Sequence, residues 1–369
     1  MNNNNLEQRQ SQVIEAMRFL LILLVLFIHV LPETYIPLTW RLSGMNVYHI
    51  VSELISHNCA NIAVPCFFLF SGFFFFHKKE RLTVLFYENQ WRKRLYTLLI
   101  PYFLWNVLFI LVIFLKNTIF LCLGLASDDS YNMLHDNSLF DLLWGIPVNY
   151  PLWYLRDLIV MSMLAPLFRF FFKYTGIYGL ILLFLIYFLG FDTNIPGFSI
   201  TAILFFGVGV FLAVSRKNIL VICSKWRLFT IIGAVFFLCC SVYYNGTSYH
   251  LLLSRLFIPF GIVVAINFVD RMMHYVRPKH LLCLPSSIVF FIYSMHAIYI
   301  INWQKGIFYR TSLADSGWGM MLCYVLIPFM TLGICLILYF ILNKTVPHVL
   351  SILLGGRGDQ RFSKGREMA

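Results

Sequence analysis

The sequence predicts an all-α integral membrane protein with about ten transmembrane helices, both termini cytoplasmic and no soluble domain. Three observations carry that expectation. Of 369 residues, 60% are apolar and 12% charged, against about 45–50% and about 25% in an ordinary soluble domain. The apolar residues gather in ten runs of the length that crosses a bilayer. Lys and Arg concentrate in alternate connections between those runs. With 38 Phe and 20 Tyr in the chain, a water-soluble globule would lack the polar side chains to cover its outside. A soluble enzyme, a disordered chain and a disulfide-rich secreted scaffold are thereby excluded.

The runs lie at 16–32, 58–76, 97–124, 151–172, 176–191, 198–215, 228–244, 252–269, 286–303 and 319–343. The third is long enough to tilt or to begin in the interface, and the fifth is short. The start at Met1, followed by four Asn, lacks the charged and apolar regions of a signal peptide, so the first run is expected to remain as an anchor. Three segments follow: a cytoplasmic N-terminal stretch 1–15, a membrane domain 16–343 and a basic cytoplasmic tail 344–369. No internal repeat is visible. The nine Cys are scattered singly apart from Cys239–Cys240; most sit in apolar runs, where Cys packs as a small hydrophobe, so neither a disulfide nor a metal site is expected.

Orientation follows from the connections. On one side lie Arg9, then Lys78, Lys79, Arg81, Arg92, Lys93 and Arg94, then Arg169 and Lys173. Arg216, Lys217, Lys225, Arg227, Arg271, Arg277 and Lys279 continue the set, and Lys344, Arg357, Arg361, Lys364 and Arg366 complete it. These 21 basic residues face three, Arg41, Lys305 and Arg310, on the other side, where Asp128, Asp129, Asp136 and Asp141 also fall. The excess marks the cytoplasmic side. The net charge of +12 is thus read as topology, and no nucleic-acid partner is expected.

Polar residues inside the runs carry the chemistry. A charge at the bilayer centre costs about 2.5–3.5 kcal/mol on insertion scales and tends to face a cavity. Arg18 and His29 in the first run, Arg156 and Asp157 in the fourth, Arg255 at the eighth and His296 in the ninth are such residues. Lys116 in the third is read as snorkelling or as marking a span end. Arg18 and His29 are eleven residues apart, about 1100° of rotation and roughly 16 Å of rise, within about 20° of three full turns. They therefore share one helix face. One reading makes Arg18 a positive-inside anchor and His29 an interfacial histidine beside Pro32. Another makes them a group-transfer pair, since imidazole takes a proton near neutrality and guanidinium holds phosphate or an oxyanion through its planar fork. A proton-coupled transporter would use the same residues, and spacing does not separate these readings.

Four segments read together go further. They are Ile14-Glu15-Ala16-Met17-Arg18 through Phe27-Ile28-His29, Val64-Pro65-Cys66-Phe67-Phe68-Leu69-Phe70-Ser71-Gly72-Phe73, Arg92-Lys93-Arg94 through Pro101-Tyr102, and Leu152-Trp153-Tyr154-Leu155-Arg156-Asp157-Leu158. In this order they resemble the acyltransferase-three family of bacterial integral-membrane acyltransferases, which decorate surface sugars and related acceptors. Phe291-Ile292-Tyr293-Ser294-Met295-His296 resembles that family's late Tyr-x-x-His segment. The matches reach from residue 14 to about residue 300.

The resemblance implies transfer of an acyl group, acetyl by expectation, from cytoplasmic acyl-CoA to a hydroxyl of a surface or exported polysaccharide, in the bacterial inner membrane. The family's essential Arg and His fall on Arg18 and His29. His29 would be the general base, with a transient acyl-imidazole as the alternative, and Arg18 would hold a CoA phosphate or orient the donor. Arg92, Lys93 and Arg94 stand where CoA phosphates would arrive, or are plain positive-inside charge. Ser71 before Gly72 either lets helices approach or lines a cavity. Trp153 and Tyr154 are an aromatic belt or a platform for a sugar ring. Arg156 and Asp157 need partners, and His296 is an alternative base or a satisfied histidine. Two departures stand out: Thr97 and Leu98 occupy places where some members carry a second Arg, and only about 26 residues follow the last run, so the hydrolase-like domain fused to many members is not expected. The partners implied are the lipid bilayer, the glycan acceptor and acyl-CoA, with no metal; nothing in the residues speaks to oligomeric state.

A transporter or flippase for a glycan or lipid-linked intermediate is the rival reading, supported by the same charges and opposed by the missing repeat symmetry. A purely structural membrane protein leaves Arg18, His29, Arg156 and Asp157 unexplained. Asn245-Gly246-Thr247 and Arg357-Gly358-Asp359 are set aside as a chance sequon and a tail tripeptide.

Overall fold

The computed structural model describes residues 3–31, 38–77, 83–125, 129–275 and 284–357, and among them no strand occurs. The basic residues Lys78, Lys79, Arg81, Arg277, Lys279, Arg361, Lys364 and Arg366 lie outside the described residues, as do Pro32, Asp128 and Asp359. Each of the ten apolar runs falls on helix.

The first run belongs to α1, Asn3–Ile28, which begins well before its apolar part. Its polar first turns are held by the protein: Arg9 Nε pairs with Asp270 at 2.7 Å, and the Gln10 side-chain oxygen accepts from the Ile219 N–H at 2.6 Å. The second run is the end of a longer helical column, Gly44–Phe76. It comprises α2, Gly44–Ser52, a π turn at Glu53–Asn58, a 3-10 turn at Cys59–Ile62 and α3, Ala63–Phe76. Ser43 caps it by accepting from the Asn46 N–H. Hydropathy places the start at 58 because Glu53, Ser56 and His57 are polar; in the fold Glu53 and Ser56 are buried by protein, and Glu53 pairs with His57 at 2.7 Å.

The third run follows α4, Val84–Arg94, through a π turn at Leu95–Leu99 into α5, Ile100–Cys122. Pro101 has no N–H to continue the regular ladder at that junction. The fourth and fifth runs fall on α7, Trp153–Met163, and α8, Ala165–Phe188, after the short α6, Asp129–Asp136. The fifth run begins at Gly176, at φ 54 and ψ −129, a backbone conformation that glycine adopts without a Cβ penalty.

The sixth run is α9, Ile200–Val214, which bends by 105° into α10, Ile219–Lys225. Next come α11, Arg227–Tyr243, and α12, Tyr249–Tyr275. The ninth run is broken into α13, Ser286–Met295, and α14, Ile300–Phe308, at 57°. The tenth is α15, Gly317–Thr345, followed by the short tail helix α16, Pro347–Leu353. Among the described residues six helices can each cross a membrane by length and composition, and the two bent pairs raise the number to eight. The helix lengths therefore support six to eight spans; the count of ten requires adding α7 and α11, which have 11 and 17 residues.

Packing follows the rules for lipid-solvated helices. The α3 and α9 backbones touch: a Cβ on Gly72 would strike the Phe206 carbonyl oxygen, and one on Gly209 would strike the Leu69 carbonyl oxygen. Small residues allow such approach where lipid gives no hydrophobic drive to associate. Of the two roles weighed for Ser71 and Gly72, Gly72 serves the crossing. The core around it is aromatic, with Phe68, Phe73, Trp105, Phe205, Phe206 and Phe291 fully buried, while Leu111, Leu115, Ile232 and Ile337 face outward.

Candidate active site

Two helix breaks bring two histidines together. The chain leaves α1 at Ile28, and the following residue, His29, stacks on His296, with ring centroids 5.2 Å apart and planes at 26°. His296 is the residue after α13, at the break before α14. Its Nδ1–H donates to the Ile292 carbonyl at 3.0 Å. That bond leaves Nε2 as the unprotonated nitrogen, buried without a hydrogen-bond partner. The edge of the Tyr150 ring packs against His29 at 5.0 Å and 80°. Lys305 on α14 donates to the His29 carbonyl oxygen at 3.1 Å, satisfying a carbonyl that the end of α1 leaves open. The His29 ring itself makes no hydrogen bond among the described residues.

His29 opens on a cavity of about 250 Å³, whose wall includes Asn61, Pro65, Trp153, Tyr154, Thr201 and Tyr293. The wall is held from behind. The Tyr293 hydroxyl donates to the Pro151 carbonyl, Asn149 donates to the Ser294 carbonyl at 2.9 Å, and the Asn149 N–H reaches the Asn106 side chain at 3.1 Å. These bonds tie the turn before α7 to α13 and α5, so the wall and the histidine pair are positioned by one buried network.

On the other side of this wall lies a basic cluster. Tyr154, only 9% exposed, is buried within the bundle rather than standing in an interfacial belt; its ring meets Phe68 at 4.7 Å and Tyr293 at 5.8 Å. Ser71 stands within hydrogen-bonding reach of the Tyr154 hydroxyl, and the guanidiniums of Arg94, Arg357 and Arg18 all act on it electrostatically. Of the three consecutive basic residues, Arg94 turns inward and lies over the Phe75 ring at 5.6 Å, its Nε buried without a hydrogen-bond partner. Arg92 and Lys93 are exposed. No Arg stands at Thr97 or Leu98, yet the same helical column supplies a guanidinium through Arg94, one residue before the π turn.

The remaining intramembrane charges find partners away from the cavity. Arg156 pairs with Asp157 at 2.9 Å and donates to the Trp144 and Gly145 carbonyls at 2.9 and 2.6 Å. Asp157 is fully buried and also accepts from the Ser199 N–H at 3.3 Å. Together they join α7 to the segments before α7 and α9. Arg255 donates to the Tyr187 carbonyl at 2.8 Å. Lys116 does not snorkel: it is 7% exposed, with Nζ 4.3 Å from the Tyr299 ring centroid. Trp153 lines the cavity. No group of three His, Cys, Asp or Glu is placed to hold a metal ion among the described residues.

Several residues of the site carry no sequence signal strong enough to nominate them. Tyr150 is one Tyr among 20, and Tyr293 stands in the Tyr-x-x-His segment, where only His296 was singled out. Asn61 interrupts an apolar run and was open to the same argument as His29. Lys305 and Arg357 count in the sequence only as loop charges.

The architecture and site thus define a multi-pass membrane protein with an internal polar site, a histidine pair at one end and arginines at the other. The chain belongs to the acyltransferase-3 family, whose Acyltransferase domain matches residues 12–340, and is a membrane-bound O-acyltransferase. It is similar to the succinoglycan biosynthesis protein ExoH of Rhizobium meliloti (strain 1021), 25% identical over 96% of this chain and 94% of that protein. No solved structure matches it.

Proposed function

We propose that the chain transfers an acyl group, acetyl in the simplest case, from acyl-CoA to a hydroxyl of an exported or surface polysaccharide. The observation that carries this reading is the arrangement along α1: His29 open to a cavity, and Arg18 on the same helix face beside a cluster of guanidiniums. Succinoglycan, named for the similar ExoH, supports a polysaccharide acceptor. The donor's phosphates bind at Arg18 and Arg94 through charge-assisted hydrogen bonds, and the thioester extends past Tyr154 into the cavity. His29 takes the proton of the acceptor hydroxyl as its oxygen attacks the thioester carbonyl carbon. The carbon–sulfur bond then breaks, and the leaving thiolate recovers that proton from the imidazolium. Stacking on His296 and the edge of Tyr150 hold the imidazole in orientation, while Trp153 offers a face to a sugar ring.

In this reading the arginine end is cytoplasmic, both termini are inside, and α7 and α11 complete ten spans in the bacterial inner membrane. The gathering of Arg18, Arg94 and Arg357 within electrostatic range of one residue, Tyr154, supports that orientation. Loss of the protein is expected to remove one ester-linked acyl group from the cell's surface or exported glycan, measured by composition before and after mild base. An unchanged ester content, with the protein present in the parent strain, overturns the reading. Arg18→Lys keeps the charge and loses the fork. It is expected to raise the donor KM about tenfold, the order of one charge-assisted hydrogen bond, with acceptor KM unchanged; wild-type kinetics would count against the donor assignment.

A further inference from the structure

We propose that Arg357, in the C-terminal tail, is a ligand of the donor's anionic end, so that the tail forms part of the acyl-donor site. The inference rests on the donor reading above and adds to it a residue from beyond the family match, which ends at residue 340.

The tail returns to the bundle through defined contacts. The Trp105 indole N–H on α5 donates to the Leu353 carbonyl at 3.0 Å, and Leu350 and Leu354 are each 2% exposed. Beyond α16 the backbone turns at Gly355 and Gly356, with φ 63 and 70. Gly355 sits against the π turn: a Cβ there would stand 2.7 Å from Thr97 Cα and 2.8 Å from the Tyr96 carbonyl oxygen. A side chain is therefore excluded twice, by conformation and by space. This turn delivers Arg357 to the Phe290 ring, with Cζ 4.0 Å from the centroid, and Nη1 donates to the Leu354 carbonyl at 2.7 Å. Phe290 lies beside Tyr293 at 6.2 Å, and Tyr293 meets Tyr154 edge-on at 5.8 Å. Two ring contacts thus separate Arg357 from Tyr154, whose hydroxyl lies within the electrostatic range of Arg94, Arg357 and Arg18 together.

Guanidiniums from α1, α4 and the tail, all within electrostatic range of one phenol, suit a ligand with several negative charges. Glu15 is the acid that acts on Arg18, while Arg94 keeps a buried Nε without a hydrogen-bond partner. Arginine suits phosphate because its fork binds two oxygens at once. Phosphate esters come from two sources here, the nucleotide end of the donor or an anionic lipid headgroup. The cluster abuts the wall of the His29 cavity through Tyr154, which favours the ligand that must also reach that cavity.

The test uses the full chain in nanodiscs of neutral lipid and measures binding of free coenzyme A. Arg357→Gln is expected to raise the Kd at least tenfold, and Arg357→Lys to fall between it and wild type, with melting temperatures unchanged. In turnover assays the donor KM should rise while the acceptor KM stays the same. Equal coenzyme A affinity in wild type and R357Q overturns the assignment of Arg357 and leaves the donor reading standing. Loss in R357Q of phosphatidylglycerol binding, with coenzyme A affinity intact, likewise overturns it in favour of a lipid site. Absence of coenzyme A binding in wild type overturns the donor reading itself.

Discussion

His29→Ala is expected to lower kcat by about 10²–10⁴-fold, the usual contribution of a positioned general base, with insertion, folding and coenzyme A binding retained. The separation of these effects is the informative part. Among the described residues the His29 ring belongs to no hydrogen-bond network, so its removal leaves no orphaned partner there; it gives up a stack with His296 and a contact with the edge of Tyr150. The backbone contact with Lys305 does not depend on the side chain and should persist. A variant that turns over at the wild-type rate would remove His29 from the chemistry and move attention to His296, whose Nε2 is buried without a partner. Burst kinetics with stoichiometric labelling of the wild-type protein by the acyl group would instead show the imidazole acting as a covalent carrier.

Asp157→Ala should damage the fold itself. The carboxylate is fully buried and answers both the Arg156 guanidinium at 2.9 Å and the Ser199 N–H at 3.3 Å. Removing it leaves a guanidinium inside the bundle without its counter-charge, a change that costs about 3–5 kcal/mol. The expected observation is a marked fall in melting temperature in detergent, or loss of monodisperse protein. The double variant Asp157→Ala with Arg156→Met should recover part of the loss, because it removes the stranded charge along with its partner. If the single variant keeps its melting temperature and loses only turnover, the pair belongs to the chemistry and not to the scaffold.

These two variants also separate what hydropathy makes legible from what it does not. Arg18, His29, Arg156, Asp157 and His296 all stand out in apolar runs because each is costly in lipid, and the sequence treats them as one class. The structure divides them. Arg156 and Asp157 satisfy each other and three backbone groups, so their cost is met by architecture. His29 and the arginine cluster meet a cavity wall. The divisions of the helices were legible in part: the fifth run begins at Gly176, where α8 kinks, whereas the π turns at Glu53–Asn58 and Leu95–Leu99 lie within helical columns and hydropathy reads them only as the starts of apolar runs. Glu53 and His57 escaped notice for the opposite reason, since their polarity ended an apolar run that the fold continues.

By itself the sequence determined a helical, multi-pass membrane protein and its family, because burial in lipid is a property of each segment, summed residue by residue along the chain. Tertiary structure decided which polar groups meet. Tyr150, Asn61, Tyr293 and Lys305 joined His29, and Arg357 came back from the tail to the Phe290 ring. Those meetings depend on helix crossings, on close approaches such as Gly72 against Phe206, and on breaks such as the one at His296. Such contacts pair residues up to hundreds of positions apart, and no property of a single segment encodes its partner.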